Sequence, residues 1–262
     1  ASNKVVISYT DANNLDYGTG VVGTVSGTAI SFGTPVVFEF GSVLYVSATF
    51  DSDSNKVVIA YRDGGNSDYG TAVVGTVSGT AISFGTAVVY ETANSSWNSA
   101  TFDSNSNKVV IGYRDGGNSD YGTVIVGTVS GTSISFGTAV VFEAAISRYI
   151  SATFDSNSNK VVIGYRDGGN SNYGTAIVGT VSGTSISFGA PVVFETAETS
   201  YISATFDSNL NKAVIAYQDN GNSSYGTAAV FTVGSTNNTS FIGITDAAIS
   251  SAASGNVTIK GG

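Results

Sequence analysis

The residues best suited to bind a ligand recur along the chain at an interval of 52 residues. The phrase Arg-Asp-Gly-Gly-Asn stands at 62–66 and returns at 114–118 and 166–170, and an aromatic residue opens the strand-like run ahead of each copy. Aromatic faces stack on the apolar faces of sugars, while amides, carboxylates and guanidinium groups bond to hydroxyls. This chemistry favours a carbohydrate site. The candidate ligand-binding residues are Tyr45, Arg62, Asp63, Asn66, Trp97, Arg114, Asp115, Asn118, Arg148, Tyr149, Arg166, Asp167, Asn170, Tyr201 and Gln218.

Part of this pattern also has a structural interpretation. An aspartate follows the second strand-like run in all five copies, as a residue that caps a turn would. The arginines have a weaker structural case, because Thr10 and Gln218 replace them in the first and last copies. The aspartates are therefore open to either role, and the arginines are the stronger ligand candidates.

Catalysis is not expected from this composition. The chain contains no histidine and no cysteine, so the usual general base and thiolate nucleophile are missing. It also has no Gly-x-Ser-x-Gly motif and no phosphate-binding loop. A glutamate closes one strand in four copies, as structural repetition would produce. These glutamates are Glu39, Glu91, Glu143 and Glu195. We predict neither enzymatic activity nor a cofactor.

The turns at 51–55, 103–107, 155–159 and 207–211 resemble a calcium loop in one respect. Oxygen-bearing side chains stand at alternate positions, beginning with Asp51 in the first of these turns. However, Lys56 stands where an EF-hand loop has glycine, and no acid occupies the twelfth position. Turns closed by Asx and Ser side chains explain the same residues without a metal. No metal site is predicted.

Composition and charge narrow the class of protein and partner. The chain is 42% apolar and 11% charged and has 33 glycines, which indicates a sizeable core made of short strands and turns. No apolar run reaches the roughly 20 residues of a membrane span. A formal charge of −9 argues against nucleic acid as a partner. Because the chain has no methionine, it is expected to be a processed product or a segment of a longer chain.

The repeat predicts the fold. Copies begin at 3, 55, 107, 159 and 211 and fill nearly all of residues 1–262 as one domain. Within a copy, alternating apolar and polar residues predict strand A (149–155), strand B (160–166), strand C (about 174–181) and strand D (185–195). Turns this short join antiparallel neighbours. Repeated around an axis, such four-stranded meanders make an all-β fold, a five-bladed β-propeller.

Proline and glycine positions refine this prediction. Pro35 and Pro191 occupy the same place in strand D. Proline is tolerated mainly on edge strands, so strand D is expected to be outermost. A small residue recurs in the middle of strand B, as Gly112 and Gly164 show. It predicts close packing between neighbouring blades.

Three resemblances add to this. The strand order, with an aspartate after strand B, resembles the blade plan of the WD-repeat family, although the Gly-His and Trp-Asp signatures are absent. Five blades of this length resemble the tachylectin-type lectins in architecture, which implies sugar binding. The tail, with Phe-Ile-Gly-Ile at 241–244 and Gly-Asn-Val-Thr-Ile-Lys-Gly-Gly at 255–262, resembles tail-fibre-like structural proteins of marine and cyanobacterial phages. That likeness implies a virion-surface or extracellular protein whose chain continues.

The first copy supplies strands B, C and D at 3–39 but no strand A. Moving strand A of the last copy, 201–207, forward by one interval gives 253–259, where Val-Thr-Ile is the strand-like run. We therefore expect residues of about 254–260, within a closing segment of about 248–262, to pair with Lys4–Tyr9 and complete the ring. Such pairing would remove a free sheet edge.

Variation between copies is concentrated in the loops predicted between strands D and A, at 40–44, 92–96, 144–148 and 196–200. The copies at 107–158 and 159–210 differ at nine positions, four of them within 144–148. This segment is either the least constrained surface or the part that sets specificity beside the aromatic residues, in sites between blades.

We predict a noncatalytic module that binds a cell-surface glycan or receptor, without membrane insertion. It is expected on a virion or extracellular appendage, within a larger assembly. The alternative is a purely structural spacer of a tail fibre or filament.

Overall fold

The computed structural model describes residues 3–233 and the backbone of residues 240–249. Apart from one 3-10 turn at Gly64–Asn66, the regular elements of this part are β-strands, which confirms the all-β prediction. No helix among these residues has the length and apolar character needed to span a bilayer. The strands are β1 (Lys4–Asp11), β2 (Tyr17–Ser26), β3 (Ala29–Phe32), β4 (Val36–Asp51), β5 (Lys56–Asp63), β6 (Tyr69–Ser78), β7 (Ala81–Phe84), β8 (Val88–Asp103), β9 (Lys108–Asp115), β10 (Tyr121–Ser130), β11 (Ser133–Phe136), β12 (Val140–Asp155), β13 (Lys160–Asp167), β14 (Tyr173–Ser182), β15 (Ser185–Phe188), β16 (Val192–Asp207), β17 (Lys212–Asp219), β18 (Tyr225–Thr232) and β19 (Ser240–Ile249).

Each repeat forms a four-stranded antiparallel unit in which the chain passes from one strand to its neighbour. In the fourth unit, the second half of β12 is strand A, β13 is strand B and β14 is strand C. Strand D consists of β15 and the first half of β16, and both pair with β14. The predicted meander is confirmed. Few connecting residues are needed, because the joined strands run in opposite directions.

No separate loop joins strand D of one unit to strand A of the next. The segments predicted as loops (40–44, 92–96, 144–148 and 196–200) lie inside the 16-residue strands β4, β8, β12 and β16. In β12, residues 140–146 pair with β10 of the third unit, and residues 147–155 pair with β13 of the fourth. The loop prediction was wrong because a β-bulge redirects the chain without ending the strand.

Strand D is interrupted where its prolines stand. The predicted strand at 185–195 is divided between β15 and β16, and residues 189–191 belong to neither. Pro191, like Pro35 in the first unit, lies in this break, because proline cannot donate a hydrogen bond to a neighbouring strand. Strand D does form the edge of the unit, since its two pieces pair within that unit only with strand C.

The core lies between units rather than within them. One buried cluster joins Val110 and Val124 of the third unit to Ile150 and Tyr165 of the fourth. The glycine in the middle of strand B permits this approach, because a Cβ on Gly112 would lie 3.2 Å from Cγ2 of Ile150. Close packing at this position is therefore confirmed. Each unit depends on its neighbours for burial, as in other repeat proteins.

The first unit has an open face and an open edge. Ile30 is 44% exposed, whereas the equivalent Ile134 is 3% exposed and packs with residues of the preceding unit. Among the described residues β1 pairs only with β2, and a groove of about 740 Å³ lined by Val5 and Phe50 follows its surface. The segment predicted to close the ring, 254–260, lies outside the described residues.

Candidate functional site

Four aromatic side chains form one continuous row across the strands A. The members of this aromatic row are Tyr45, Trp97, Tyr149 and Tyr201. Successive ring centroids are 5.0, 4.4 and 5.3 Å apart, and successive planes are inclined by 50°, 51° and 52°. Residues from four copies meet because strands A of successive units also touch. For example, the Ala152 N–H donates to Ser99 Oγ of the preceding unit at 2.9 Å.

Backbone conformation sets the direction of these rings. Each member of the row has φ between 51° and 57° and lies in the bulge between strands A and B. A bulky residue in this left-handed region costs about 1 kcal/mol, whereas glycine adopts it freely. The aromatic ring is nevertheless kept in all four copies, although the preceding residue varies. That residue is Leu44, Ser96, Arg148 or Ser200. The ring thus recurs while its neighbour varies, which makes this position a candidate for function.

Arginine side chains lie against two members of the row. The guanidinium carbon of Arg62 is 5.2 Å from the ring centroid of Tyr45, and that of Arg166 is 5.0 Å from the ring centroid of Tyr149. At such distances a cation is attracted to the face of an aromatic ring. The structure therefore brings together two kinds of residue that the sequence proposed separately.

Carboxylates hold two of the arginines within their own units. Arg62 Nε lies 3.3 Å from Asp68 Oδ1, and Arg114 Nε lies 3.3 Å from Asp120 Oδ1. Neither contact is aligned as a hydrogen bond, so both are ion contacts. Because the two aspartates are well exposed, each contact adds only about 0–1 kcal/mol to stability. Its main effect is to orient the guanidinium group.

The fourth unit replaces this contact with one to a carboxylate of its own strand D. Residue 172 is Asn where the earlier copies have Asp, and Arg166 Nη1 instead donates to Glu198 Oε1 at 2.7 Å. Glu198 is one of the residues that vary between strands D and A. Arg148 faces Arg166 across the strand register and has no carboxylate partner within residues 3–233. It is therefore a cation free to meet a ligand.

The aspartates after strand B act as turn caps. Asp167 Oδ1 accepts hydrogen bonds from the backbone N–H groups of Gly169 at 2.9 Å and Asn170 at 3.1 Å. Equivalent bonds are made by Asp63, Asp115 and Asp219. The asparagine side chains are exposed in the same turns, at Asn66, Asn118 and Asn170. Gln218 is engaged locally, since its Nε2 donates to the Ser224 carbonyl at 3.3 Å. These bonds favour the structural interpretation of the aspartates.

The turns between strands A and B use their carboxylates in the same way. Asp103 Oδ1 accepts from the N–H groups of Asn105 at 2.9 Å and Ser106 at 3.0 Å. These are the Asx-turn bonds that explained the sequence pattern without a metal. Within the described part of the chain, no three acidic side chains gather at a site that could hold a metal ion.

A buried tyrosine, a glutamate and an aspartate connect each pair of described units, and the sequence did not predict this group. Tyr113 of the third unit donates from its hydroxyl to Glu91 Oε2 of the second at 3.1 Å. The same bond joins Tyr61 to Glu39, Tyr165 to Glu143 and Tyr217 to Glu195. Burial, followed by the charge of Asp115, raises the pKa of Glu91. The recurrence of the glutamate in four copies was the sequence signal for this group, and the glutamate has a structural role in joining neighbouring units.

The raised carboxyl pKa values predict a protein that becomes more stable under mild acid. Burial, then a neighbouring carboxylate, raises the pKa of Asp63 and Glu143 as well. A folded state with raised pKa values binds protons more readily than the unfolded chain. The free energy of unfolding should therefore rise as pH falls from 7 through the folded pKa values, and level off near the unfolded value of about 4.

Thermal melts at intervals between pH 7 and pH 4.5 test this dependence of stability on pH. We expect Tm to increase across the range, and the double variant E91Q/E143Q to show a shallower increase. A Tm that falls steadily over the same range would contradict the role assigned to these carboxyls.

One boundary between units carries a polar network that the equivalent positions of other described units do not reproduce. The hydroxyl groups of Tyr90 and Ser95 lie 3.1 Å apart, and Ser95 donates to Asn98 Oδ1 at 2.7 Å. Asn98 is 8% exposed and its Nδ2 has no partner in the described residues, although Ile150 fills the same position in the next unit. An unpaired buried donor costs about 1–3 kcal/mol. Polarity is thus kept next to Trp97 at the expense of stability.

No protein-family model matches this chain, and no curated protein is similar to it in sequence. Solved structures are similar in fold. A variant of the Aleuria aurantia lectin in complex with alpha-methyl-L-fucoside is 12% identical with a TM-score of 0.52, and the match covers 96% of this chain and 80% of that one. AofleA from Arthrobotrys oligospora is also 12% identical, with a TM-score of 0.54 and coverage of 92% and 69%.

Another structure of the Aleuria aurantia lectin, described as a six-bladed β-propeller with a novel fucose recognition mode, matches with 12% identity and a TM-score of 0.49. The match covers 96% of this chain and 80% of the lectin chain. At this level of identity the similarity concerns the fold alone. The repeating four-stranded antiparallel units are arranged like the blades of a β-propeller, and the Aleuria aurantia structure is that of a lectin.

Proposed function

We propose that the protein is a noncatalytic, lectin-like module that binds carbohydrate. The aromatic row carries this proposal. Its rings are partly exposed, and Tyr201 at one end is 71% exposed. Sugars present apolar faces that stack on such rings and hydroxyls that accept hydrogen bonds from their polar atoms. Arg62 lies against Tyr45, and Arg148, which pairs with Arg166 across the strands, has no carboxylate partner within residues 3–233 and is a candidate donor.

The fold likeness suggests which sugar to test first. One of the similar lectins was solved with alpha-methyl-L-fucoside, so a fucose-containing glycan is the most informative probe. Binding by this chain would follow from its own residues rather than from the likeness, because the two sequences share 12% identity.

A glycan array that includes fucosylated and non-fucosylated glycans tests this function. We expect the wild-type protein to bind at least one class, and Trp97→Ala to weaken that binding about tenfold or more, as the loss of roughly 1.4 kcal/mol would. Arg114→Ala tests the arginine of the same unit. Melting curves of both variants confirm that they remain folded. No binding at millimolar sugar concentration would overturn the proposal.

The complete architecture that we propose is a five-bladed ring, closed by pairing of residues of about 254–260 with β1, on an extracellular appendage or virion surface. Two observations support closure. β1 has a free edge among the described residues, and no described serine offers Ala48 the contact that Ala100 receives from Ser47 at 3.0 Å. The likeness to phage tail-fibre proteins, and with it the location, stays a prediction.

A structural role is the second candidate. The open face of the first unit favours a structural role. Ile30 and Phe32 are 44% and 53% exposed there, whereas the equivalent residues of later units are covered by the preceding unit. If the first and last units of the chain fit each other, they can meet within one chain and close a ring, or meet between chains and build an open filament. Sedimentation velocity over a range of concentrations separates these outcomes. Growth into long species without sugar binding would favour the filament.

A further inference from the structure

We infer that the aromatic row is a single binding site for one sugar ring per chain, rather than one of several equivalent sites between blades. This inference rests on the proposed carbohydrate-binding function and specifies its site and stoichiometry. The sequence predicted several unequal sites between adjacent blades, because an aromatic residue recurs in four copies beside a segment that varies. The structure places the four rings on one continuous surface.

Ring spacing excludes independent stacking sites. Adjacent centroids lie 4.4–5.3 Å apart, so neighbouring rings already touch each other. A sugar stacked on Trp97 would occupy the space beside Tyr45 and Tyr149 as well. The four rings therefore act together on one ligand.

The polar atoms of the row are available to that ligand. No residue in the described part of the chain forms a hydrogen bond with the hydroxyl groups of Tyr45, Tyr149 or Tyr201, or with Nε1 of Trp97. This contrasts with the buried Tyr113, whose hydroxyl is bonded to Glu91. Three phenol hydroxyls and one indole N–H thus line a single apolar surface. That combination suits a pyranose ring, which has apolar faces and hydroxyl groups at its edge.

The conformation of the row points to the same conclusion. All four rings are held on residues with positive φ, where glycine would be unstrained. Strained positions that persist through a repeat are a reason to look for a function. Mutual stacking alone could be supplied by rings on ordinary strand positions, as it is for Phe142 and Tyr165 in the core, with centroids 5.0 Å apart.

Isothermal titration calorimetry with alpha-methyl-L-fucoside, and with the methyl glycosides of galactose, glucose and mannose, tests the inference. We expect a stoichiometry near one sugar per chain. Tyr201→Ala should raise Kd about tenfold or more, and because that side chain is well exposed, it should leave Tm within a few degrees of wild type. Tyr201→Phe should have a smaller effect, through loss of the hydroxyl group alone.

Tyr225→Ala is the matched control, since Tyr225 is an exposed tyrosine outside the row. Its Kd should equal that of the wild type. A stoichiometry of four or five, or a Kd that Trp97→Ala and Tyr201→Ala leave within twofold of wild type, would overturn the single site while sugar binding itself remained established. If none of the sugars bound, the proposed function would be overturned, and this inference with it.

Discussion

Gly137→Ala should destabilise the protein severely, by about 3 kcal/mol or more. A Cβ at Gly137 would lie 2.0 Å from the carbonyl oxygen of Thr184 in the next unit. The atom it meets belongs to the backbone, so no side chain can rotate away, and overpacking of this kind costs about 1–3 kcal/mol and occasionally more. In a domain of this size, each kcal/mol lowers Tm by about 2–4 °C. We therefore expect Tm to fall by roughly 6–12 °C in a thermal melt.

The neighbouring substitution Thr138→Ala is the control. Thr138 is exposed, and the following copy already carries alanine there, as Ala190. Its Tm should stay close to that of the wild type. Gly85→Ala repeats the experiment at the preceding boundary, where the Cβ would lie 1.9 Å from the Thr132 carbonyl. A wild-type Tm for both glycine variants would show that the units are not packed as closely as described.

Removal of residues 250–262 is expected to lower Tm by roughly 5–10 °C. The free edge of β1 and the groove lined by Val5 and Phe50 would remain uncovered in the shortened chain. Loss of two or three kcal/mol has an effect of this size, at about 2–4 °C per kcal/mol. Differential scanning calorimetry of the full and shortened chains measures it.

A full-length variant with glycine and serine in place of residues 254–260 separates strand pairing from mere chain length. It should melt like the shortened chain, because glycine and serine pair poorly in sheets. If both variants melt like the wild type, closure by this segment is wrong, and β1 is an edge that something else covers.

The repeating unit could be predicted from the sequence because its signals are local. Alternation of apolar and polar residues gave strands B and C to within a few residues, and the short turns fixed their antiparallel order. The passage from strand D to strand A was not predictable in this way. Ile146 and Arg148 look like loop residues, yet the chain stays extended through them because a bulge at Tyr149 redirects it.

The candidate site was predicted in its residue types but not in its arrangement. Tyr45 and Arg62 were singled out, and they lie together. Their meeting with Trp97 depends on how strands A of different units converge, which no pattern within one copy can reveal. The bond from Tyr113 to Glu91 was missed for the same reason, since it joins two copies.

Because the strands continue unbroken from D to A, neighbouring units share a strand and are not independent of each other. Each 16-residue strand belongs to two neighbours at once, since in β12 the first half pairs with β10 of one unit and the second half pairs with β13 of the next. A cut or an inserted residue at 144–148 would disturb both. The turns between strands A and B, such as 155–159, divide the chain where no strand is shared. A cut in one of these turns would therefore leave every strand whole.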